Sequence, residues 1–391
     1  MRGCLGKKNE PAVVVAVWQF EQIVAPNDRR AGLCETFHSC TMHSATTAVA
    51  DTESAGLPAE LEQLVRGLAL PHGRRVGRPG HEVAEAWVAE QLRQRRLEPY
   101  QGEHYALPYV GGRTRFTNFV GVIPGRDQSL SPLLIGAHYD SVIDAPCADD
   151  NAASVALTLA VASRIRPGQL RHDVVVALFD AEEPPYFLTD SMGSIRFYED
   201  QRDRRGFHAV IISDLIGHDV GFRTLGDDTP EAIRRLVCVL GAESHPALPG
   251  LIESTPTPPN VSAIALLNSY APDLSDHHIF RLHHHPYLFL SCGHWPHYHR
   301  PTDTPDRLNY VKLAALTTWT TDLLHKLDVT ELPLGRSAEH KTDAFEAASI
   351  ARALPPEVLA RLGLATPRTR ADVNTFVGHL FRETFELGFV D

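Results

Sequence analysis

The sequence predicts an α/β fold, a single large domain with a mixed but mostly parallel central sheet and helices on both faces. Short apolar runs alternate along the chain with longer helical segments, which is typical of a parallel sheet covered on both sides. With 391 residues, 43% of them hydrophobic, the chain can bury a large core. We expect residues 1–55 to form an N-terminal extension that is poorly ordered, residues 56–330 the main domain, and residues 331–391 a linker followed by C-terminal helices.

Hydrophobic spacing assigns the individual elements in chain order. Residues 80–100 place Val83, Trp87, Val88 and Leu92 on one stripe, which predicts an amphipathic helix packed on the core. Buried strands are predicted from apolar runs at residues 133–136, 174–179, 209–212 and 287–290. Further helices are predicted at residues 151–165 and 307–327.

Charge and composition argue against several classes of protein. The formal net charge of -11 argues against a nucleic-acid binder, which would carry a basic patch. No window approaches the ~18 consecutive apolar residues of a membrane span. The apolar run at residues 12–18 is short and has no clear cleavage site after it, so a signal peptide is unsupported and a cytoplasmic location is slightly favoured. The six cysteines show no CxxC spacing and are interpreted as free thiols.

Acidic or imidazole side chains follow all four predicted strands, at the sheet edge where open α/β proteins gather functional groups. They are His138 and Asp140, then Asp180, Glu182 and Glu183, then Asp214, and finally the segment CGHWPHYHRPTDTPD. Clustered carboxylates without a cation would repel each other and raise their own pKa values. Two histidines and several carboxylates suit Zn²⁺ best, and Mn²⁺ or Co²⁺ also fit. Five such ligands are too many for one open catalytic zinc and fit two metals that share a carboxylate.

Six fragments in this order, GAHYDSV, ADDNAAS, DAEE, SDLIG, SDHHIF and YHRPTDT, resemble the zinc exopeptidase family. This family includes bacterial leucyl aminopeptidases, aminopeptidase Y, glutamate carboxypeptidase and, more distantly, glutaminyl cyclases. The resemblance runs from about Arg75 to Leu327 and implies a zinc-exopeptidase-like fold. It also implies a metal-dependent exopeptidase, with an aminopeptidase expected, that hydrolyses peptides or amino-acid conjugates with a water bridging two zinc ions.

The resemblance also implies roles for individual residues. Asp140 orients His138, Glu182 acts as the general base, and the Tyr298 hydroxyl stabilises the oxyanion. The implied metal ligands are His138, Asp150, Glu183, Asp214 and His299. Asp150, which precedes Asn151, matches the position that bridges the two metals, and Asp276 matches a recurrent acid without an assigned role.

Two alternative functions and one unexplained cluster stay open. A glutaminyl-cyclase-like acyltransferase with a single zinc would have the same fold, but the presence of His138 argues against it. A non-catalytic receptor-like binding domain would also have this fold, but the intact ligand set argues against it. A histidine cluster suggests either a further metal site or surface and pocket-wall roles, of which we favour the latter; we define it as His277, His278, His283–His285, His294 and His297.

Overall fold

A computed structural model of the chain describes residues 52–201, 206–271, 273–333 and 342–384. Residues 1–51 of the predicted N-terminal extension lie outside the described residues. The described elements are, in chain order, α1 Thr52–Leu68, α2 Pro79–Gln94, β1 Glu98–Pro99, β2 Ala106–Gly111, β3 Thr114–Ile123, β4 Leu133–His138, α3 Ala153–Arg164, β5 Val174–Phe179, α4 Gly193–Gln201, β6 Ala209–Ser213, α5 Glu231–Arg234, β7 Leu236–Leu240, α6 Leu248–Glu253, β8 Ser262–Leu266, α7 His277–Leu282, β9 Tyr287–Ser291, α8 Tyr310–Val329, α9 Asp343–Ala353, α10 Pro356–Arg361 and α11 Arg370–Thr384.

In the described part of the chain, nine strands form one sheet in the order β1-β3-β5-β4-β6-β9-β7-β8, with β2 paired to β3. Strands β5, β4, β6 and β9 run parallel and form its centre. Antiparallel pairing of β3 with β5 and of β7 with β9 flanks this centre. The predicted fold class is confirmed, and the four predicted strands are β4, β5, β6 and β9.

Helices cover both faces of the sheet. Helices α1, α3 and α8 contribute to the larger apolar cluster on one face, and α4 and α7 contribute Phe197, Ile279 and Phe280 to the smaller cluster on the other. Central strands are buried along their whole length, since both of their faces are covered. None of the described helices is long and apolar enough to cross a bilayer.

Helix α2 differs from its prediction at one residue. Val88 and Leu92 are buried as expected, and Trp87 packs against the core, but the side chain of Val83 is 54% exposed. The buried stripe instead runs through His81 and Ala84, because these lie seven and four residues before Val88, on the same face of the helix.

The C-terminal helices pack on the same core as the central sheet. Strand β8 forms one edge of the sheet, and the Ser349 hydroxyl on α9 accepts a hydrogen bond from the Ala265 amide of that strand at 2.9 Å. An unpaired edge amide is thereby satisfied within the chain. Ile350 on α9 and Phe376 on α11 are buried in the larger apolar cluster. The boundaries proposed at residues 55 and 330 stay predictions.

Candidate metal centre

Side chains that follow β4, β5 and β6 meet at the carboxyl edge of the sheet. Nε2 of His138, the last residue of β4, lies 3.6 Å from Oδ2 of Asp214, which follows β6. The same nitrogen lies 3.4 Å from Oδ1 of Asp150. The other oxygen of Asp150 lies 3.1 Å from Nε2 of His299, and that nitrogen is 3.4 Å from Oε2 of Glu183. The Asp150 carboxylate therefore lies between two imidazoles, one beside Asp214 and the other beside Glu183.

Each of these five side chains has a buried polar atom without a hydrogen-bond partner. The atoms are His138 Nε2, Asp150 Oδ2, Glu183 Oε1, Asp214 Oδ1 and His299 Nε2. Burying such atoms is costly unless something binds them, and nearly all buried polar groups in proteins are partnered. Two imidazole nitrogens and three carboxylates are the donor types that zinc and related divalent ions prefer. The five residues thus fit a divalent metal centre.

Asp140 connects the ends of β4 and β5. Its Oδ1 accepts a hydrogen bond from Nδ1 of His138 at 3.2 Å, which leaves Nε2 of that ring directed into the centre. The main-chain amides of Glu182 and Glu183 donate to the same carboxylate at 3.1 and 3.2 Å. Asp140 thus contacts the His138 ring and the main chain that carries both glutamates, and its orienting role stays a prediction.

The charges of the centre shift its pKa values in opposite directions. Burial and the neighbouring Asp150 raise the pKa of Glu183 to about 7. Burial, together with the charge of Asp214, raises the pKa of Glu182 well above its usual value, although His138 opposes the shift. Burial would also raise the pKa of Asp150, but the close contacts of its carboxylate with the imidazoles of His138 and His299 outweigh burial and hold this pKa far below its ordinary value. Asp150 is thus the member held ionised, and the glutamates retain protons more readily.

Asp149 and Asp150 are adjacent acids with different surroundings. Both oxygens of Asp149 are engaged, one by the Gly217 amide at 2.6 Å and the other by Nδ1 of His218, also at 2.6 Å. Asp150 keeps one oxygen without a hydrogen-bond partner. Asp149 therefore supports the turn, and Asp150 is the acid available to a metal.

Two residues that the sequence did not single out hold this turn in place. The guanidinium group of Arg74 is fully buried and donates to the main-chain carbonyls of Tyr139, Pro146 and Cys147 at 2.7, 2.6 and 3.0 Å. The carboxylate of Asp303 accepts hydrogen bonds from the amides of Asp149 and Asp150 at 2.9 and 3.2 Å. Asp303 belongs to the YHRPTDT fragment, but only the folded chain reveals which amides it accepts from.

Tyr298 lies beside the centre, with its ring stacked on His299 at 3.7 Å and on His294 at 4.0 Å between centroids. Burial, reinforced by Asp150 and the two glutamates, raises the pKa of Tyr298 well above its usual value. The phenol therefore stays protonated and can donate a hydrogen bond.

The histidine cluster does not assemble into a metal site among the described residues. His285 uses both ring nitrogens, with the Tyr198 hydroxyl at 2.9 Å and the Phe207 carbonyl at 3.1 Å. His278 bonds to Asp273 at 2.7 Å, and His277 is buried against the ring of Phe289. His283 and His284 are exposed. These contacts agree with the surface and packing roles favoured from the sequence.

Asp276, the acid without an assigned role, is fully buried before α7. Neither of its oxygens has a hydrogen-bond partner of standard geometry. Burial, with the nearby charge of Asp214 adding to it, raises the pKa of Asp276 to about 7.

Sequence similarity to known proteins covers the part of the chain that carries this centre. The model of peptidase family M28 matches residues 118–323, just over half of the chain. The chain is 26% identical over 327 residues to the uncharacterized protein YfbL of Escherichia coli, covering 71% of this chain and 91% of that protein. It is also 30% identical over 148 residues to endoplasmic reticulum metallopeptidase 1 of Mus musculus, a match that spans 36% of this chain and only 16% of that protein.

Solved structures with the same fold include both peptidases and cyclases. The LapA aminopeptidase of Legionella pneumophila superposes with a TM-score of 0.56 at 17% identity, over 74% of this chain and 78% of that one. A glutaminyl cyclase from an Acidobacteriales bacterium superposes with a TM-score of 0.54 at 18% identity, over 74% of this chain and 99% of the other. At these identities the likeness establishes the fold and does not separate the two activities.

Proposed function

This chain belongs to peptidase family M28, and on that premise we propose that it is an aminopeptidase that hydrolyses a peptide bond with two zinc ions and a glutamate general base. The observation that carries the proposal is the set of five buried donor atoms without hydrogen-bond partners, all at one edge of the sheet. A cyclase with one zinc could leave part of this set unused, whereas a dinuclear hydrolase needs all of it.

The donors divide into two groups around Asp150. We assign His138 and Asp214 to one ion, His299 and Glu183 to the other, and the Asp150 carboxylate to both, because its two oxygens face different histidines. When bound, the ions would supply Lewis-acid polarisation of the scissile carbonyl and lower the pKa of a shared water. Arg74 and Asp303 hold the turn that carries Asp150, so the bridging carboxylate is preorganised.

Glu182 is the residue we assign to proton transfer. Its amide is fixed by Asp140, and its Oε2 lies 3.7 Å from Nε2 of His138, inside the centre. A carboxylate at this position can accept a proton from the attacking water and return it to the leaving amine.

Tyr298 is the residue we assign to the oxyanion. Its hydroxyl stays protonated beside His299, so it can donate to the oxygen on which negative charge develops as the carbonyl carbon becomes tetrahedral.

Hydrolysis of paired substrates tests the proposal. We expect the enzyme to cleave leucine 4-nitroanilide and to leave the N-acetylated anilide intact, since an aminopeptidase requires a free amino end. A peptide with N-terminal glutamine, followed by mass spectrometry, provides the control, because hydrolysis adds water whereas cyclisation releases ammonia. Ammonia loss without cleavage would replace this function with the cyclase alternative. No reaction in a folded, metal-loaded sample would favour the non-catalytic alternative.

A further inference from the structure

The imidazole of His218 contacts two chain segments that carry the metal centre, residues 147–151 and residues 292–303. It is fully buried. In the first segment, its Nδ1 donates a hydrogen bond to Oδ2 of Asp149 at 2.6 Å, since a carboxylate can only accept. In the second, its ring stacks on that of Trp295, with 4.9 Å between centroids and 17° between planes. One side chain therefore touches both segments.

Both contacts are close in the chain to assigned metal ligands. Asp149 directly precedes Asp150, the carboxylate assigned to both ions. The Trp295 carbonyl accepts a hydrogen bond from the Tyr298 amide at 3.0 Å, and His299 is the next residue. A displacement of the imidazole would therefore move the bridging carboxylate and a ligand of one ion together.

Helix α8 fixes the main chain of His218. Nζ of Lys312, on a fully buried side chain, donates to the His218 carbonyl at 2.8 Å and to the Arg234 carbonyl at 3.0 Å. A buried ammonium group is costly unless such bonds satisfy it. The Asn309 amide, just before α8, donates to the Gly217 carbonyl at 2.8 Å. Helix α8 and its first cap thus hold two consecutive residues of the loop after β6.

The bond to His218 limits what the Asp149 carboxylate can do. Asp149 is fully buried, and its other oxygen accepts from the Gly217 amide at 2.6 Å. Both of its oxygens are occupied, while the adjacent Asp150 keeps one oxygen without a hydrogen-bond partner. Without the imidazole, Asp149 would have a buried unpaired oxygen, and such a carboxylate would compete for the ions or repel Asp150. His218 therefore keeps the two adjacent acids in different roles.

We propose that His218 is a positioning residue of the metal centre, which holds Asp149 out of metal coordination and fixes Asp150 relative to the loop of His299. The inference rests on the dinuclear centre proposed above. It assigns a role to a residue that is not a ligand, since among the described residues His218 belongs to no group of possible ligand atoms that lie close together. Because Asp150 is assigned to both ions, loss of His218 should weaken both, whereas loss of a single ligand should weaken one.

Zinc binding tests the inference without any measurement of activity. Equilibrium dialysis of the full-length, zinc-loaded protein against buffers of graded free zinc gives the affinity for each ion. His218→Phe keeps a ring for Trp295 and removes the donor to Asp149, so both affinities should fall ~10–100-fold. His218→Asn keeps a donor near the position of Nδ1, so both should stay within about threefold of wild type. This rescue separates the hydrogen bond from a general loss of packing.

His285→Phe is the matched control. His285 is also buried and hydrogen-bonded through Nδ1, but its partner is the Phe207 carbonyl, outside the centre. Both zinc affinities of this variant should equal those of wild type.

A second variant keeps the test decisive if His218→Phe does not fold. Lys312→Met removes the ammonium that holds the His218 carbonyl and leaves the imidazole in place, so both affinities should fall about threefold. Unchanged affinities in this folded variant would then overturn the inference.

Three results with His218→Phe would also overturn it. They are unchanged zinc binding, a fall in the affinity for only one ion, and an equal fall in His218→Asn or His285→Phe. In each case two ions bound to the wild type would still support the dinuclear centre. A wild type that binds fewer than two ions would overturn both proposals.

Discussion

Two groups of histidines and carboxylates in the described part of the molecule have similar composition and different hydrogen bonding. The metal centre contains His138 with its acidic neighbours, and a second group, which we call the His81 cluster, consists of His81, Glu85 and Asp180. Possible ligand atoms lie within 4.8 Å of one another in the His81 cluster and in two triads of the centre, which are His138 with Glu182 and Asp214, and His138 with Asp150 and Glu183. Distance alone therefore does not distinguish a metal site from a structural cluster.

Hydrogen-bond satisfaction does distinguish them. Oδ1 of Asp180 accepts from His81 Nε2 and from the Ala181 amide, both at 2.8 Å, and Oδ2 accepts from the Thr117 amide at 2.8 Å. Asp180 thus needs no cation, whereas each side chain assigned to metal binding keeps an unpartnered atom. The Ala181 amide that donates to Asp180 belongs to a residue in a left-handed conformation, with φ of 54°, directly before Glu182. The His81 cluster therefore supports the turn that carries the two glutamates.

The largest expected effect separates the two glutamates of the centre. Glu182→Gln should lower kcat by ~10²–10⁴-fold while metal content is retained, because the amide cannot accept the proton. Glu183→Gln should instead weaken the binding of one ion, since a ligand carboxylate is lost. Steady-state kinetics and elemental analysis on the same samples measure both effects. Equal loss of metal in the two variants would show that the assignment of base and ligand is wrong.

A smaller effect is expected in the His81 cluster. His81→Asn should lower the free energy of unfolding by about 1–3 kcal/mol, because a buried hydrogen bond to the Asp180 carboxylate is weakened. Metal content should stay at the wild-type level. Urea denaturation and elemental analysis are the measurements. Loss of an ion with unchanged stability would place His81 among the ligands and remove the distinction between the two groups.

The sequence predicted the centre of the sheet well because parallel strands buried on both faces are continuous apolar runs. The residues that directly follow β4, β5 and β6 could be located for the same reason, since strand ends are fixed once the runs are recognised. Strands β7 and β8 and the antiparallel strands β1 to β3 were not predicted. They lie in the outer parts of the sheet, where polar residues interrupt β3 and a proline interrupts β2. Strand β7 is the exception, since its sequence LVCVL is a continuous apolar run that could have been recognised.

Residues that support the centre from a distance could not be predicted, because their partners are main-chain atoms. Arg74 precedes the turn it holds by more than 60 residues, and its hydrogen bonds go to carbonyls, which leave no trace in the side-chain sequence. The burial of Phe376 and Leu380 on α11 depends in the same way on the docking of a terminal helix. Val83 illustrates a related limit, since an apolar residue next to a buried stripe need not be buried.

Metal stoichiometry in wild type and His138→Ala tests the central claim most directly. After dialysis against metal-free buffer containing no chelator, elemental analysis of the wild type should give close to two divalent ions per chain. His138→Ala should give close to one, because the ion assigned to His138 and Asp214 loses a ligand while the His299 and Glu183 side retains its own. Folded samples of both proteins with no bound metal, or with the same content, would contradict the dinuclear account.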